Sequence, residues 1–194
     1  MVLAVHWGRR HNLLLATQLL RIVDESFPIV RKDSVILGHG LGYGIDYELE
    51  GAYPSLKVVL TLLPRYAPMY LPIAYLIGRR DLLKLTFEGG PVSTGVGAIL
   101  HDCGDSRLPF DRDTDMSEEE VTADDQVYRV YAFNPYVLRM LKAAIPFLVD
   151  IPTFRYLSVD SRTGTVTTYL VPRVGSLSTD LAAIGTAIES IRTN

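Results

Sequence analysis

The stretch FRYLSVDSRTGTVTTYLV, residues 154–171, carries the clearest structural signal in the chain. Two runs rich in β-branched and aromatic residues, 154–159 and 165–171, flank the polar sequence Asp-Ser-Arg-Thr-Gly, which is typical of a tight turn. Strands that a short turn joins pair in the antiparallel sense. The sequence therefore predicts a β-hairpin here and an antiparallel sheet around it.

Three other segments, 13–25, 135–149 and 178–192, repeat apolar residues at helical spacing. Asn12 and Asn134 precede the first two and are suited to cap a helix N-terminus. Short apolar or alternating runs predict further strands at 34–37, 45–50, 56–63, 73–77, 81–87, 96–100 and 127–131. The order predicts an α+β fold with a mainly antiparallel sheet, an N-terminal helix, a central helix (about 135–149) and a C-terminal helix (about 178–192).

The length of 194 residues predicts a single domain spanning 1–194. The formal net charge of −3 argues against a general affinity for nucleic acid or for an anionic membrane surface. The chain has one cysteine, Cys103, and its N-terminus does not have the pattern of a signal peptide. We therefore expect a cytoplasmic protein.

Negative charge is concentrated between Asp102 and Asp125, where ten acidic residues stand against two arginines. We interpret this segment, about 102–125, as an acidic surface insertion without regular structure. Such a segment suits the binding of a basic protein, because opposite charges steer the encounter of two surfaces. The candidate binding residues are Asp111, Asp113, Asp115, Glu118, Glu119 and Glu120.

Tyrosines crowd the middle third of the chain, and Tyr43 and Tyr47 are added to the candidate binding residues. Tyrosine favours interfaces, since it buries a large ring while its hydroxyl stays polar. Tyrosine also favours ordinary strand packing, so both interpretations remain open.

Two motifs resemble cofactor or metal sites but are incomplete. The run GHGLGYG at 38–44 lacks the spacing of a dinucleotide-binding loop, and a strand pattern follows it in place of a helix. Asp111, Asp113 and Asp115 match the first three ligand positions of a calcium loop, but Met116 and Thr122 stand where glycine and glutamate are required. We expect no cofactor, and these three aspartates are only weak metal candidates.

One compact group, His101, Asp102, Cys103 and Asp105, has side chains capable of acid–base or metal chemistry. A metal-dependent hydrolase would need more ligands, and the other histidines lie far upstream without ligand spacing. A strand end that runs into a polar turn explains the group more simply.

Three stretches together resemble a known family: Leu71-Pro72-Ile73-Ala74-Tyr75, Asp81-Leu82-Leu83-Lys84-Leu85, and Val130-Tyr131-Ala132-Phe133 leading into a helix. In this order, residues 71–147 are similar to SMI1/KNR4-like domains of the SUKH superfamily. Many members of that family look like bacterial immunity proteins that neutralise toxins by direct binding, and a branch occurs in large DNA viruses. The resemblance implies a binding role.

The favoured hypothesis is a non-enzymatic protein-binding domain, of immunity or antagonist type, that uses an acidic, tyrosine-rich surface. Two alternatives belong to other classes. One is a metal-assisted hydrolase centred on His101, Asp102 and Asp105. The other is a homo-oligomer, a self-assembling structural subunit in which an exposed edge of the hairpin 154–171 pairs with a second copy.

Overall fold

The structure, a computed structural model, describes residues 2–37, 41–67, 69–91, 95–101 and 115–193. Its elements are α1 (Val2–Ser26), β1 (Ile29–Leu37), β2 (Gly42–Leu49), β3 (Ser55–Thr61), α2 (Leu71–Leu76), β4 (Leu82–Glu88), β5 (Val96–His101), β6 (Ser117–Ala123), β7 (Gln126–Ala132), α3 (Pro135–Leu148), β8 (Phe154–Asp160), β9 (Thr165–Leu170) and α4 (Leu177–Thr193). Within these residues no helix combines the length and the apolar character that crossing a membrane requires.

The nine strands form one sheet in the order β1-β2-β3-β4-β9-β8-β5-β7-β6. Every neighbouring pair is antiparallel, which confirms the predicted α+β class with its antiparallel sheet. The predicted hairpin is the β8–β9 pair at the centre of the sheet. Gly164 closes its turn at a φ of +64°, a conformation that glycine adopts without steric cost.

Alternation along the strands gives the sheet one apolar face. In β3, for example, Leu56, Val58 and Leu60 are fully buried while Lys57 and Thr61 are exposed. Three helices cover this face, with α4 lying between α1 and α3. We call it the covered face and the opposite side of the sheet the open face. Each leucine buried in this way contributes roughly 1.5–3 kcal/mol.

The central helix α3 begins as its sequence predicts. The side chain of Asn134 accepts a hydrogen bond from the amide of Val137 at 2.8 Å, and Pro135 occupies the first turn, where its missing N–H costs nothing. The helix packs closely on β5 because Gly97 has no side chain. A Cβ atom there would lie 2.6 Å from Leu141 Cδ1 and 2.7 Å from the Tyr131 carbonyl oxygen.

The first helix begins eleven residues earlier than the sequence indicates, at Val2 in place of Leu13, so Asn12 is not its N-cap. Asn12 lies inside α1, almost fully buried, and its Nδ2 donates to the Leu63 carbonyl oxygen at 2.9 Å. The side chain that resembled a helix cap therefore binds the backbone of Leu63, which is distant in the sequence. Proximity in the fold, and not the local pattern, decided its role.

The strand predicted at 73–77 is wrong. Residues Leu71–Leu76 form the helix α2, with Pro72 in its first turn. Short apolar runs do not distinguish strand from helix by periodicity, and a proline in the first turn favours the helix. Strand β4 then starts at Leu82, as expected.

The acidic segment is also more regular than predicted. Its second part, Ser117–Ala123, is a strand that pairs with β7 over its whole length. Asp124 and Asp125 form the connecting turn with φ values of 45° and 61°, as aspartate tolerates in two-residue hairpin turns. Pairing with the buried strand β7 overrides the low intrinsic strand preference of three successive glutamates.

Candidate functional site

The strongest candidate for a functional surface is β6, which ends the sheet. One side of β6 pairs with β7 in seven successive registers, from Ser117–Ala132 to Ala123–Gln126, with no bulge. In the parts of the chain that the structure describes, no strand pairs with its other side. That side presents backbone N–H and C=O groups that another strand can use.

The glutamates of β6 point to two faces. Glu118 and Glu120 are exposed on the open face, where Glu118 Oε1 accepts a hydrogen bond from the Tyr131 hydroxyl at 3.0 Å. Glu119 points to the covered face and forms an ion pair with Lys142 of α3. Strand periodicity therefore divides the predicted set: Glu118 and Glu120 lie on the open face, and Glu119 attaches the strand to the helix layer.

Other carboxylates extend the charge along the same edge. Asp115 precedes β6, and Asp124 and Asp125 follow it; all three are exposed. We call Asp115, Glu118, Glu120, Asp124 and Asp125 the acidic edge. The basic side chain opposite it on β7 is Arg129, which lies across from Glu120 in the register. Asp111 and Asp113 lie outside the described residues.

Tyr43 and Tyr47 are not part of this surface. Both belong to β2, at the opposite end of the sheet from β6. The Tyr47 ring is 1% exposed, and its hydroxyl donates to Asp24 Oδ1 at 2.7 Å. Tyr47 is therefore a core residue that joins β2 to α1, and the predicted combination of acids with these tyrosines does not occur.

Three other tyrosines, which the sequence did not single out, lie on the open face nearer to β6. Tyr156 and Tyr169 meet edge to face, with ring centroids 5.5 Å apart, and Tyr131 contacts Glu118. Lys84 Nζ lies 5.7 Å from the centre of the Tyr169 ring. The alternation of side chains along β8 and β9 could have predicted this cluster, since it places Tyr156 and Tyr169 on the face opposite to Leu157 and Leu170.

Burial gives these phenols a measurable pH signature. Burial raises the pKa of Tyr156 to about 12, and burial followed by the nearby Asp124 carboxylate raises that of Tyr128 to about 12. Between pH 10 and pH 12 the unfolded chain loses phenol protons that the folded chain keeps, so the free energy of unfolding should fall as pH rises in this window. Below pH 10 these groups should leave stability unchanged.

Urea unfolding measured at a series of pH values tests this expectation. The variant Tyr156→Phe should show a shallower decline above pH 10 than the parent protein, since it removes one of the shifted groups. Tyr75→Phe, which alters a tyrosine that is 50% exposed, serves as the control. Equal declines in the parent protein and Tyr156→Phe would contradict the assignment.

Of the four residues that suggested a hydrolase, the structure describes only His101. Asp102, Cys103 and Asp105 lie outside the described residues. His101 Nδ1 lies 3.2 Å from the Phe154 carbonyl oxygen, and its ring stacks on Tyr128 at 5.3 Å. Among the described residues no cluster of three His, Cys, Asp or Glu side chains is arranged to hold a metal ion. The contacts of His101 are those of a packed residue at the end of a strand.

The hairpin 154–171 does not have the free edge that the self-assembly hypothesis assigned to it. Strand β9 pairs with β4, and β8 pairs with β5, so both strands have partners on each side. The ends of the described sheet are β1 and β6. The hypothesis that two copies pair through an edge of this hairpin is therefore wrong.

Comparison with known proteins places the chain in no family. No family model matches the sequence, and no curated protein matches it at a significant level. Of the three stretches on which the expected resemblance to SMI1/KNR4-like domains was based, the first lies within the helix α2, and the other two overlap the start of β4 and the end of β7. Function must therefore be argued from the surface itself.

Proposed function

We propose that this protein is a non-enzymatic protein-binding domain whose acidic edge captures a basic, extended segment of a partner. The single observation behind the proposal is that β6 is a regular seven-residue edge strand bearing exposed carboxylates. An edge of this kind supplies two interactions to the same ligand: backbone hydrogen bonds to an added strand and charge pairing along it.

The geometry of strand addition defines what the partner must contain. Side chains alternate along β6, so Glu118 and Glu120 would face every second residue of the added strand. Lysine or arginine at those positions would form cross-strand pairs with the two carboxylates, each contributing about 0.2–1 kcal/mol. Asp124 and Asp125 at one end and Asp115 at the other extend the attraction and raise the rate of encounter.

The same charges argue against a second copy of this chain as the occupant. If two β6 strands paired antiparallel over all seven residues, Glu120 of one copy would lie directly opposite Glu120 of the other. Like charges directly opposite each other destabilise a strand pair. The acidic edge therefore favours a basic partner and disfavours self-association through β6.

An antagonist or immunity-type role is a finer part of the proposal. Its support is the resemblance of residues 71–147 to a family whose members neutralise toxins by direct binding. A basic segment that is paired along β6 is no longer available for its own target, so capture alone would be inhibitory. The alternative of a metal-assisted hydrolase has no comparable support among the described residues.

A synthetic seven-residue peptide of alternating lysine and valine tests the capture of a basic strand. We expect binding that weakens as salt concentration rises, because the charged groups are exposed. The double variant Glu118→Gln/Glu120→Gln should bind the peptide roughly tenfold more weakly, since two paired charges are lost. Fluorescence anisotropy of the labelled peptide measures both effects.

The matched control is Asp46→Asn/Glu48→Gln, which removes the same charge from exposed positions on β2, a strand paired on both sides. Its affinity should equal that of the parent protein. A peptide methylated on alternate backbone nitrogens keeps its charge but loses donors, and it should bind less well if a strand is added. Equal affinity of both variants and the parent protein at every ionic strength would refute the proposed function.

A further inference from the structure

A cavity of about 330 Å³ opens at the end of the central strands, away from the acidic edge. Its walls come from the C-terminal end of β3 and the residues after it, from the turn between α2 and β4, and from Arg155 and Val171 on the hairpin β8–β9. The apolar lining consists of Leu62, Leu63, Ile77, Leu82 and Val171.

Three arginines, Arg79, Arg80 and Arg155, line the same cavity, and no carboxylate lines it. None of the three forms an ion pair with an acidic residue in the described part of the chain. The nearest acid in sequence, Asp81, is already engaged, because it accepts hydrogen bonds from the Arg65 guanidinium and the Leu63 amide. Among the described residues, three positive charges thus line one concave site without a carboxylate that balances them.

Each of these arginines contacts a neighbouring group, and Arg79 and Arg80 are exposed to solvent. The Arg79 and Arg80 guanidinium carbons lie 5.9 Å and 5.6 Å from the ring centres of Tyr70 and Tyr75. Arg155 Nη1 donates to the Phe154 carbonyl oxygen at 2.7 Å. Positioned guanidinium groups lose less side-chain entropy when they bind, and their planar donors match the oxygens of phosphate groups.

We propose that this cavity binds a phosphate monoester that carries an apolar group. The three arginines match the two negative charges and several acceptor oxygens of such an ester, and the apolar wall matches its substituent. This inference is independent of the proposed function and concerns a different end of the sheet. The net negative charge of the chain does not oppose it, because the positive charge is local.

The phosphate can come from a free metabolite or from a lipid headgroup, since both present the same chemistry. The helix beside the cavity bears on this choice. Ile73 and Leu76 on α2 are 52% and 86% exposed and Met69, which precedes the helix, is 86% exposed, so this part of the chain presents apolar side chains to solvent. The experiment therefore needs one arm for each source.

Phenyl phosphate is the probe for a free ligand. Its binding is measured by calorimetry and by the change in the NMR chemical shifts of the Gly78 and Arg79 amides. Binding should saturate at one site, and phenol, which lacks the charge, should not bind. The double variant Arg79→Gln/Arg80→Gln should weaken binding at least tenfold, because hydrogen bonds to a charged group are lost. Arg155→Lys, which keeps the charge but not the planar donors, should also weaken it.

The control is Arg21→Gln/Arg31→Gln, which removes the same charge from arginines that are 79% and 63% exposed and do not line the cavity. It should bind phenyl phosphate like the parent protein, and unchanged thermal unfolding should verify that all variants fold. The proposal would be overturned if the control variant lost as much affinity for phenyl phosphate as the cavity variants, or if phenol bound as well as phenyl phosphate.

Vesicles of phosphatidylcholine with and without phosphatidic acid form the second arm. Sedimentation with the phosphatidic acid vesicles that is lost in Arg79→Gln/Arg80→Gln and reduced in Leu76→Ser would assign the phosphate to a lipid. Binding of phenyl phosphate without vesicle binding would assign it to a free metabolite. If neither probe binds, or if vesicle binding survives the loss of both arginines, the inference is wrong.

Discussion

Replacing Leu141 with alanine should lower the free energy of unfolding by about 2–5 kcal/mol. Leu141 lies on α3, is fully buried, and packs where the helix approaches β5 most closely, against Gly97. The substitution removes apolar contacts and leaves a cavity between two rigid elements that cannot move together without disturbing the sheet. Equilibrium unfolding in urea, followed by circular dichroism, measures the change.

A double-mutant cycle with Gly97→Ala distinguishes a specific contact between the two residues from a general loss of stability, because only a specific contact makes the two effects non-additive. Alone, Gly97→Ala should destabilise the protein, because its Cβ would lie 2.6 Å from Leu141 Cδ1. In the Leu141→Ala background the clash with Leu141 is absent while the one with the Tyr131 carbonyl oxygen, 2.7 Å away, remains, so adding Gly97→Ala should still destabilise the protein but by less than it does alone. Strictly additive effects would show that the close packing of α3 on β5 is misplaced.

Replacing Asp81 with alanine should cost about 3 kcal/mol, since it breaks a largely buried ion pair and leaves Arg65 uncompensated. The side chains of Arg65 and Asp81 are only 15% and 14% exposed. Asp81 Oδ1 also accepts a hydrogen bond from the Leu63 amide at 2.8 Å, and Arg65 Nη1 donates to Asn12 Oδ1 at 3.0 Å. The Asp81 carboxylate thus joins the start of β4 to the chain that follows β3, and Arg65 extends this network to α1.

Two comparisons separate this network from ordinary surface charge. Arg21→Ala breaks an ion pair whose side chains are 79% and 62% exposed, and it should cost far less than Asp81→Ala because solvent screens the exposed charges. Asp81→Asn keeps an acceptor for the Leu63 amide, so its cost should fall between those of the two alanine variants. A loss for Asp81→Ala no larger than that for Arg21→Ala would mean that the network contributes little to stability.

Local patterns identified much of the secondary structure. The hairpin at 154–171 followed from two alternating runs around a polar turn with glycine, and the start of α3 followed from Asn134 and Pro135. Both signals act over a few residues, so no distant contact was needed to interpret them. The assignment failed at 73–77, where the apolar run was too short to show a period.

For the candidate sites too, some features are visible in the sequence and others only in the structure. The excess of acidic residues between Asp102 and Asp125 is visible in the sequence, but the strand at Ser117–Ala123 and its place at the edge of the sheet are not. The arginine-lined cavity has no sequence signal. Arg155 is far from Arg79 and Arg80 along the chain, and only the pairing of β4 with β9 and of β9 with β8 brings them together.

By itself, the sequence determined the class of the fold, most of its helices and strands, and the segment that carries the negative charge, because periodicity, turn chemistry and charge are properties of neighbouring residues. The tertiary structure decided the strand order, the burial of Asn12 and Tyr47, and which charged side chains share a surface. These depend on contacts between residues far apart in the chain, where the burial of apolar surface over the whole sheet outweighs local preference.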